Sequence, residues 1–187
     1  MKKICIVILS FSFGVLSQTL AQDSVRVSRE KPTPGDTATF ISPTVRAPDF
    51  VAYDLQGNKI DSRDLRGNIV VLDFWATWCK PCREAFPQLE KIYEQQKLNT
   101  GIKFLAINAK NSGDSPNDVK QFIADSGYTF PFALDKSDVT GDFSITEIPT
   151  TIIIDQQGMV AYRSKGYMTP DEYRSTITSA IEALLKR

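Results

Sequence analysis

The fold of this chain is decided by the stretch Ile69-Val70-Val71-Leu72-Asp73-Phe74-Trp75-Ala76-Thr77-Trp78-Cys79-Lys80-Pro81-Cys82. Its first half, residues 69–75, is an almost continuous run of β-favouring side chains, which is typical of a strand covered on both faces. Its second half places Cys79 where a helix begins, with Cys82 one turn further along. The pattern predicts a buried central strand that leads into a helix carrying two cysteines.

The other predicted elements extend in both directions from this stretch. Upstream, residues 50–61 form a β-hairpin around Gly57 and Asn58, which tolerate the positive φ of tight turns. Downstream come a strand at 102–107, a helix from about 116 to Gly127, a short strand at 130–134, a short helical or irregular stretch at 138–145, a hairpin of strands 150–155 and 159–163, and a final amphipathic helix at 170–186. This order predicts an α/β fold with a mixed central sheet and helices on both faces.

The first residues are typical of an export signal. Lys2 and Lys3 precede an apolar run at residues 4–16, and small residues lead up to Ala21, after which we predict cleavage. The run of about 13 residues is shorter than the ~20 that a membrane-spanning helix needs, so an uncleaved membrane anchor is the alternative. We expect the protein to be exported to an oxidising compartment, the periplasm.

The mature part of the chain divides into two regions. Residues 22–45 are rich in serine, threonine and proline, which is typical of a linker or a loosely attached extension. The predicted domains are therefore 1–21, a signal peptide, 22–45, a linker or extension, and 46–187, one globular domain.

Composition excludes several classes of function. The 187 residues contain 22 Lys+Arg and 22 Asp+Glu, so no basic excess points to nucleic acid. The chain has no histidine, the side chain most used as a neutral-pH acid or base and as a transition-metal ligand. Serine–histidine triads, cysteine–histidine hydrolases and the common zinc sites are therefore excluded, and we expect no metal.

The chemistry is expected at two cysteines, because removal of the signal also removes Cys5. A gap of two residues lets Cys79 and Cys82 close a small disulfide ring. At a helix N-terminus the unpaired N–H groups and the macrodipole stabilise a thiolate, so Cys79 is predicted to be the exposed nucleophile. Cys82, on the inner side of the helix, is predicted to resolve the mixed disulfide. Lys80 and Pro81 are expected to tune this reactivity.

A Cys-x-x-Cys pair is also half of a zinc site. The chain has neither a second such pair nor a histidine, so a closed four-ligand site would need carboxylates or a second molecule. The residues favour a redox-active Cys79–Cys82 disulfide with no other cofactor.

Residues 71–82 resemble the active-site segment of the thioredoxin superfamily. Ala47-Pro48-Asp49-Phe50, the turn at 65–68 and the helix inserted at 117–127 resemble its exported branch, the TlpA/ResA-like disulfide reductases, which are related to AhpC/TSA and redoxin proteins. The resemblance covers residues 46–187. It implies a thioredoxin-like three-layer α/β/α sandwich with an N-terminal β-hairpin and an inserted helix.

The segment Ile148-Pro149-Thr150-Thr151 matches the loop that carries a cis-proline facing the cysteines in this superfamily. Composition alone favours an ordinary trans turn proline, since only ~5–6% of X–Pro bonds in folded proteins are cis. The resemblance implies that Pro149 is cis and that the backbone of Ile148 pairs with an extended substrate segment. Trp78 is expected to cover the disulfide and to offer substrate an apolar platform.

Asp73 interrupts an apolar strand, and burial should raise its pKa, which makes it a candidate proton acceptor for Cys82. Its position matches the buried aspartate of thioredoxins; the alternative is a hydrogen-bonded core aspartate without a catalytic role. Thioredoxins commonly place a lysine near this carboxylate, whereas the next strand here offers only Lys103. TlpA/ResA-like proteins often carry a glutamate three residues after the second cysteine. This chain has Ala85 there, and we expect Glu84 to be solvated.

The resemblance implies a thiol–disulfide oxidoreductase that reduces exported proteins, such as apocytochrome c, and receives electrons from a membrane donor. Oxidation of substrates is the alternative direction. A peroxiredoxin-like peroxidase is the first rival, but its Pro-x-x-x-Thr/Ser-x-x-Cys pattern does not precede Cys79. A binding module of this fold is the second rival, either a copper carrier, which would need a histidine, or an interaction domain with a dormant motif.

Overall fold

The computed structural model describes residues 38–40 and 45–187. Within these residues the strands are β1 Ala38–Phe40, β2 Val51–Tyr53, β3 Lys59–Asp61, β4 Ile69–Trp75, β5 Ile102–Asn108, β6 Phe132–Leu134, β7 Thr150–Ile154 and β8 Val160–Ser164. The helices are α1 Lys80–Gln96, α2 Pro116–Ser126, α3 Val139–Asp142 and α4 Pro170–Leu185, with a 3₁₀ helix at Ser62–Leu65. The predicted signal peptide, 1–21, lies outside the described residues, as does most of segment 22–45.

The sheet is mixed, as the sequence predicts. Its strands lie in the order β1-β8-β7-β4-β5-β6-β2-β3. β4 lies in the middle, parallel to β5 and antiparallel to β7. All seven residues of β4 are buried, and burial on both faces explains why its sequence is apolar almost throughout.

Alternate residues of β4 point to opposite faces of the sheet and therefore belong to two separate cores. Its odd-numbered apolar residues lie in the core that α1, α2 and α4 cover. Its even-numbered residues lie in the core beneath α3 and the 3₁₀ helix. The layers form the predicted thioredoxin-like α/β/α sandwich, and Asp73 points towards the first core.

β1 lies in the segment for which the sequence predicts no element. It pairs antiparallel with β8, with Thr39 opposite Arg163. Three residues are too few to show an alternating pattern, and the partner strand comes from the far end of the chain. The other predicted strands and helices are present, with some ends shifted by a few residues. No helix among the described residues is long and apolar enough to cross a membrane.

Candidate active site

The two cysteines lie at the N-terminus of α1. Cys79 is the N-cap residue, and its sulfur accepts a hydrogen bond from the Cys82 backbone N–H at 3.3 Å. The two sulfurs are joined in a disulfide, with the Cα atoms 5.3 Å apart. Pro81 lies in the first turn, where its missing N–H costs no helical hydrogen bond. Cys79 therefore lies at the positive end of the helix dipole, as the sequence predicts.

Cys79 is less exposed than the sequence predicts. Only 3% of Cys79 is exposed, and Cys82 is 0% exposed. Both side chains belong to the core under α1, against which the partly buried Ile148 and Met168 pack. The expectation of an exposed nucleophile is wrong for this disulfide form, because a sulfur bonded to the fully buried Cys82 is held against the core.

The Ile148–Pro149 peptide bond is cis, as the resemblance implies. Pro149 is buried and directly precedes β7. Its carbonyl oxygen accepts a hydrogen bond from the Gly166 N–H at 2.9 Å, so the loops before β7 and after β8 lie side by side. Ile148 is half-buried and packs against both cores.

Trp78 and Lys80 flank Cys79 in the sequence, and both are exposed. Trp78 is 61% exposed, and its indole N–H donates to the Ser112 carbonyl oxygen at 2.7 Å. The Lys80 ammonium lies 3.6 Å from the Glu84 carboxylate, one helical turn further on. Trp78 thus presents an apolar ring to solvent, and Lys80 forms an ion pair with Glu84.

Positions 84 and 85 face different surroundings. Ala85 is 5% exposed and lies in the core. The Glu84 side chain is 39% exposed and pairs with Lys80, because one step along a helix turns a side chain by ~100°. The expectation that Glu84 is a solvated helix residue is confirmed, and the buried position holds a methyl group instead of a carboxylate.

Asp73 is buried on the face of the sheet that α1 covers, and only 1% of it is exposed. Its Oδ2 accepts hydrogen bonds from Thr151 Oγ1 at 2.8 Å and from the Tyr173 hydroxyl at 3.0 Å. Burial raises the pKa of Asp73 to about 6, and these two hydrogen bonds oppose the rise. Oδ1 has no hydrogen-bond partner among residues 38–40 and 45–187. One oxygen is therefore fixed, while the other is free to accept a proton.

Thr151 and Tyr173 were not identified from the sequence. Thr151 lies directly opposite Asp73 in the β4–β7 register, and the pair Thr150-Thr151 after Pro149 was the only local signal for it. Tyr173 comes from α4, for which no local pattern indicates a contact with β4. Lys103 lies opposite Val70, three residues along β4 from Asp73. The Asp73 carboxylate is therefore paired with the hydroxyl groups of Thr151 and Tyr173 and not with a lysine.

Comparisons with known proteins agree with this geometry. Residues 43–163 match the AhpC/TSA family. The chain belongs to the AhpC/TSA family. It is 36% identical over 127 residues to the thioredoxin-like protein YneN of Bacillus subtilis. The aligned region covers 68% of this chain and 74% of YneN. It is also 36% identical to the thiol-disulfide oxidoreductase ResA of Bacillus thuringiensis strain Al Hakam, across 67% of this chain and 71% of ResA.

The fold of this AhpC/TSA-family chain is also found among solved structures. A crystal structure from Chlorobium tepidum, assigned to the thiol:disulfide interchange protein DsbE, matches it with a TM-score of 0.66 and 30% identity. The match covers 75% of this chain and 96% of that one. Together with the Cys79–Cys82 disulfide, these relatives identify the chain as a thiol–disulfide oxidoreductase of thioredoxin-like fold, which confirms the predicted class.

Proposed function

We propose that the chain reduces disulfide bonds of exported proteins through a dithiol–disulfide cycle of Cys79 and Cys82. The observation that carries the proposal is the disulfide at the first turn of α1, with Cys79 as the N-cap residue. Because the two cysteines are one helical turn apart, the ring can open and close without movement of distant elements.

The proposed cycle begins with the reduced enzyme. The Cys79 thiolate attacks one sulfur of the substrate disulfide, whose S–S bond breaks, and the other substrate sulfur leaves as a thiolate. Cys82 then loses its proton and attacks Sγ of Cys79, which releases the second substrate sulfur and forms the Cys79–Cys82 bond. Two electrons pass from the enzyme to the substrate, which takes up two protons and ends as two thiols. The helix N-terminus stabilises the Cys79 thiolate that begins the cycle.

We assign the proton of Cys82 to Asp73. The carboxylate points into the layer of the sandwich that contains Cys82, and its Oδ1 is unpaired among the described residues. With a pKa raised to about 6, Asp73 is mostly ionised at neutral pH and is a better proton acceptor than an ordinary aspartate. Tyr173 and Thr151 hold the other oxygen in place.

The proposed substrate contacts are Trp78, Lys80, Pro81 and the Ile148–Pro149 loop. The backbone of Ile148 would pair with an extended substrate segment, as an added strand pairs with a sheet edge. The exposed ring of Trp78 offers an apolar contact beside it. These features favour extended segments of protein chains over globular surfaces as substrates.

Export is supported by the sequence of residues 1–21, which lies outside the described residues. In the periplasm the enzyme disulfide must be reduced again after each cycle, so we propose a membrane protein as electron donor. Residues 4–16 would hold the enzyme beside such a donor if the signal were not cleaved. Among exported thiol proteins, apocytochrome c is a proposed substrate, which would connect the enzyme to cytochrome c maturation.

Two variants test the proposal. Cys82→Ser should accumulate a mixed disulfide with substrate, because no thiol is left to release it, and mass spectrometry of the trapped species would name the substrate. Cys79→Ser should abolish the reduction of insulin disulfides. Insulin reduction retained in Cys79→Ser would overturn the assignment of the nucleophile.

The direction and the reaction class are tested separately. A reduction potential near thioredoxin's, about −270 mV, supports a reductase, whereas one near that of DsbA, about −120 mV, indicates an oxidase. Rapid consumption of hydrogen peroxide without insulin reduction would favour the peroxidase.

A further inference from the structure

The loop between β5 and α2, residues 109–114, is bonded to the turn that carries the reactive cysteines. The Ser112 carbonyl oxygen accepts the indole N–H of Trp78 at 2.7 Å. The Asp114 carboxylate accepts the Thr77 backbone N–H at 2.8 Å and also the Thr77 hydroxyl. Two consecutive residues before Cys79 are thus attached to one loop.

Asp114 is the centre of a connected set of hydrogen bonds. Its Oδ2 also accepts from Asn108 Nδ2 at 2.7 Å, and its backbone N–H donates to Ser112 Oγ at 3.1 Å. The Ser112 hydroxyl in turn donates to Asn108 Oδ1 at 3.2 Å. Asn108 is the last residue of β5 and is 5% exposed, so the loop is anchored on the sheet. Three donors converge on this carboxylate, and an amide in its place would turn its own N–H groups towards some of them.

The consequence is an exposed aromatic ring in a defined orientation. Trp78 is 61% exposed, yet the polar atom of its side chain, the indole nitrogen, is hydrogen-bonded. An exposed side chain ordinarily samples several rotamers and loses that freedom when a ligand binds, which lowers affinity. A ring whose orientation is already fixed loses less rotational freedom when a ligand binds. Because Trp78 is adjacent to Cys79, the held ring lies where substrate meets the reactive sulfur.

We propose that Asp114 is a positioning residue for substrate recognition. It ties Thr77 and the Ser112 loop together, and so holds the ring of Trp78 in the orientation that receives an extended protein segment. The inference rests on the proposed function only in that the substrate disulfide belongs to a protein chain. A small disulfide, which reaches Cys79 without lying across Trp78, does not depend on Asp114.

The test compares a protein and a small disulfide in the variants Asp114→Asn and Asp114→Ala. For insulin, KM should rise about tenfold, the order expected when a contact of hydrogen-bond strength is lost from an oriented group, while kcat changes little. For hydroxyethyl disulfide, kcat/KM should stay within about twofold. Thr77→Val, which removes only the hydroxyl donor, should raise KM for insulin less, and it tests the same contact if Asp114→Ala does not fold.

Fluorescence supplies a readout that a merely structural role would not move. The chain has two tryptophans, of which Trp75 is 0% exposed and Trp78 is 61% exposed, so acrylamide quenches Trp78 selectively. In the Asp114 variants the quenchable fraction should lose anisotropy faster, because the ring rotates more freely. Unfolding midpoints measured in parallel would show whether the fold is intact.

Asp118→Asn is the matched control. Asp118 is an exposed carboxylate of the α2 capping box, four residues after Asp114. Its loss removes the same charge and weakens the start of α2, and it should leave KM for insulin and the anisotropy unchanged. Folded Asp114 variants with unchanged KM for insulin, or with an equal loss for both substrates, would overturn the inference. Retention of insulin reduction by Cys79→Ser would instead overturn the proposed function, and the Asp114 variants do not bear on that outcome.

Discussion

The hydroxyl of Tyr173 donates a hydrogen bond to Oδ2 of Asp73 at 3.0 Å, between residues 100 positions apart in the chain. Tyr173 is 2% exposed and Asp73 is 1% exposed, so this contact is shielded from water. Thr151 donates to the same oxygen. Neutral donors of this kind stabilise an ionised carboxyl group without adding charge. The pKa of Asp73 therefore reflects burial, which raises it, against two hydroxyl groups, which lower it.

Tyr173→Phe removes one of these donors and keeps the ring. The pKa of Asp73 should then rise above its value of about 6, because the ionised form loses a hydrogen bond. The expected rise is roughly one pH unit, from the strength of hydrogen bonds to charged groups. The acidic limb of the rate at which Cys82 resolves a mixed disulfide should move to higher pH by the same amount in stopped-flow experiments.

Tyr167→Phe is the control for this measurement, because Tyr167 is 52% exposed and lies in the loop between β8 and α4. Its pH profile should match that of the unmodified protein. An unshifted profile in Tyr173→Phe would show that Asp73 does not accept the proton of Cys82.

Asp73→Asn should change how stability depends on pH. The pKa of Asp73 is raised from 3.8 to about 6 on folding, so folding favours the protonated form. The stability linked to this group is fully present below about pH 4 and is lost as the pH rises through about 6. At pH 7 the ionisation of Asp73 therefore lowers the free energy of unfolding by up to about 3 kcal/mol, at 1.36 kcal/mol per pKa unit.

An asparagine at position 73 cannot ionise, so the variant should lose less stability between pH 4 and pH 7 than the unmodified protein. Urea unfolding at the two pH values measures the difference, and any constant cost of the amide cancels. The same pH dependence in both proteins would contradict a raised pKa.

Asp135→Ala should destabilise the protein, because Asp135 closes the turn before α3. Its Oδ1 accepts the backbone N–H groups of Asp138 and Val139, both at 2.8 Å, and its Oδ2 accepts that of Thr140 at 2.7 Å. Asp135 is only 7% exposed, so water replaces the lost acceptor poorly. The expected loss is about 2–4 kcal/mol in urea unfolding. Asp142→Ala, an exposed position in α3, should cost much less, and an equal loss would show that the helix, not the turn, is sensitive.

Glu84→Gln should change little. The Lys80–Glu84 pair is 3.6 Å apart, with side chains 79% and 39% exposed, and such surface pairs contribute about 0–1 kcal/mol. Stability in urea and insulin reduction should both stay close to those of the unmodified protein. A large loss of activity in a folded Glu84→Gln protein would mean that Glu84 acts in the site after all.

Ala85→Glu, by contrast, places a carboxylate at a position that is 5% exposed. This variant should be strongly destabilised in the same urea unfolding measurement, because a charge would be buried without a partner.

Elements with a self-contained pattern could be predicted from the sequence. β4 was identified because its apolar run is continuous, and the start of α1 because Pro81 and the cysteines mark a first turn. The hairpin of β2 and β3 was identified from Gly57, because glycine tolerates the positive φ of a tight turn. The structure confirms this conformation, with a φ of +91°. β1 was not, because a three-residue strand is defined by its partner β8 and not by its own pattern.

The sequence by itself determined the chemistry of this protein: two cysteines one helical turn apart at a helix N-terminus, preceded by a buried strand. These features depend on residues close together in the chain, so a short stretch contains them. Only the tertiary structure decided the burial of Cys79, the hydroxyl partners of Asp73 and the orientation of Trp78. Their partners come from β7, α4 and the loop before α2, and the desolvation and hydrogen bonds that control reactivity exist only once those distant segments pack together.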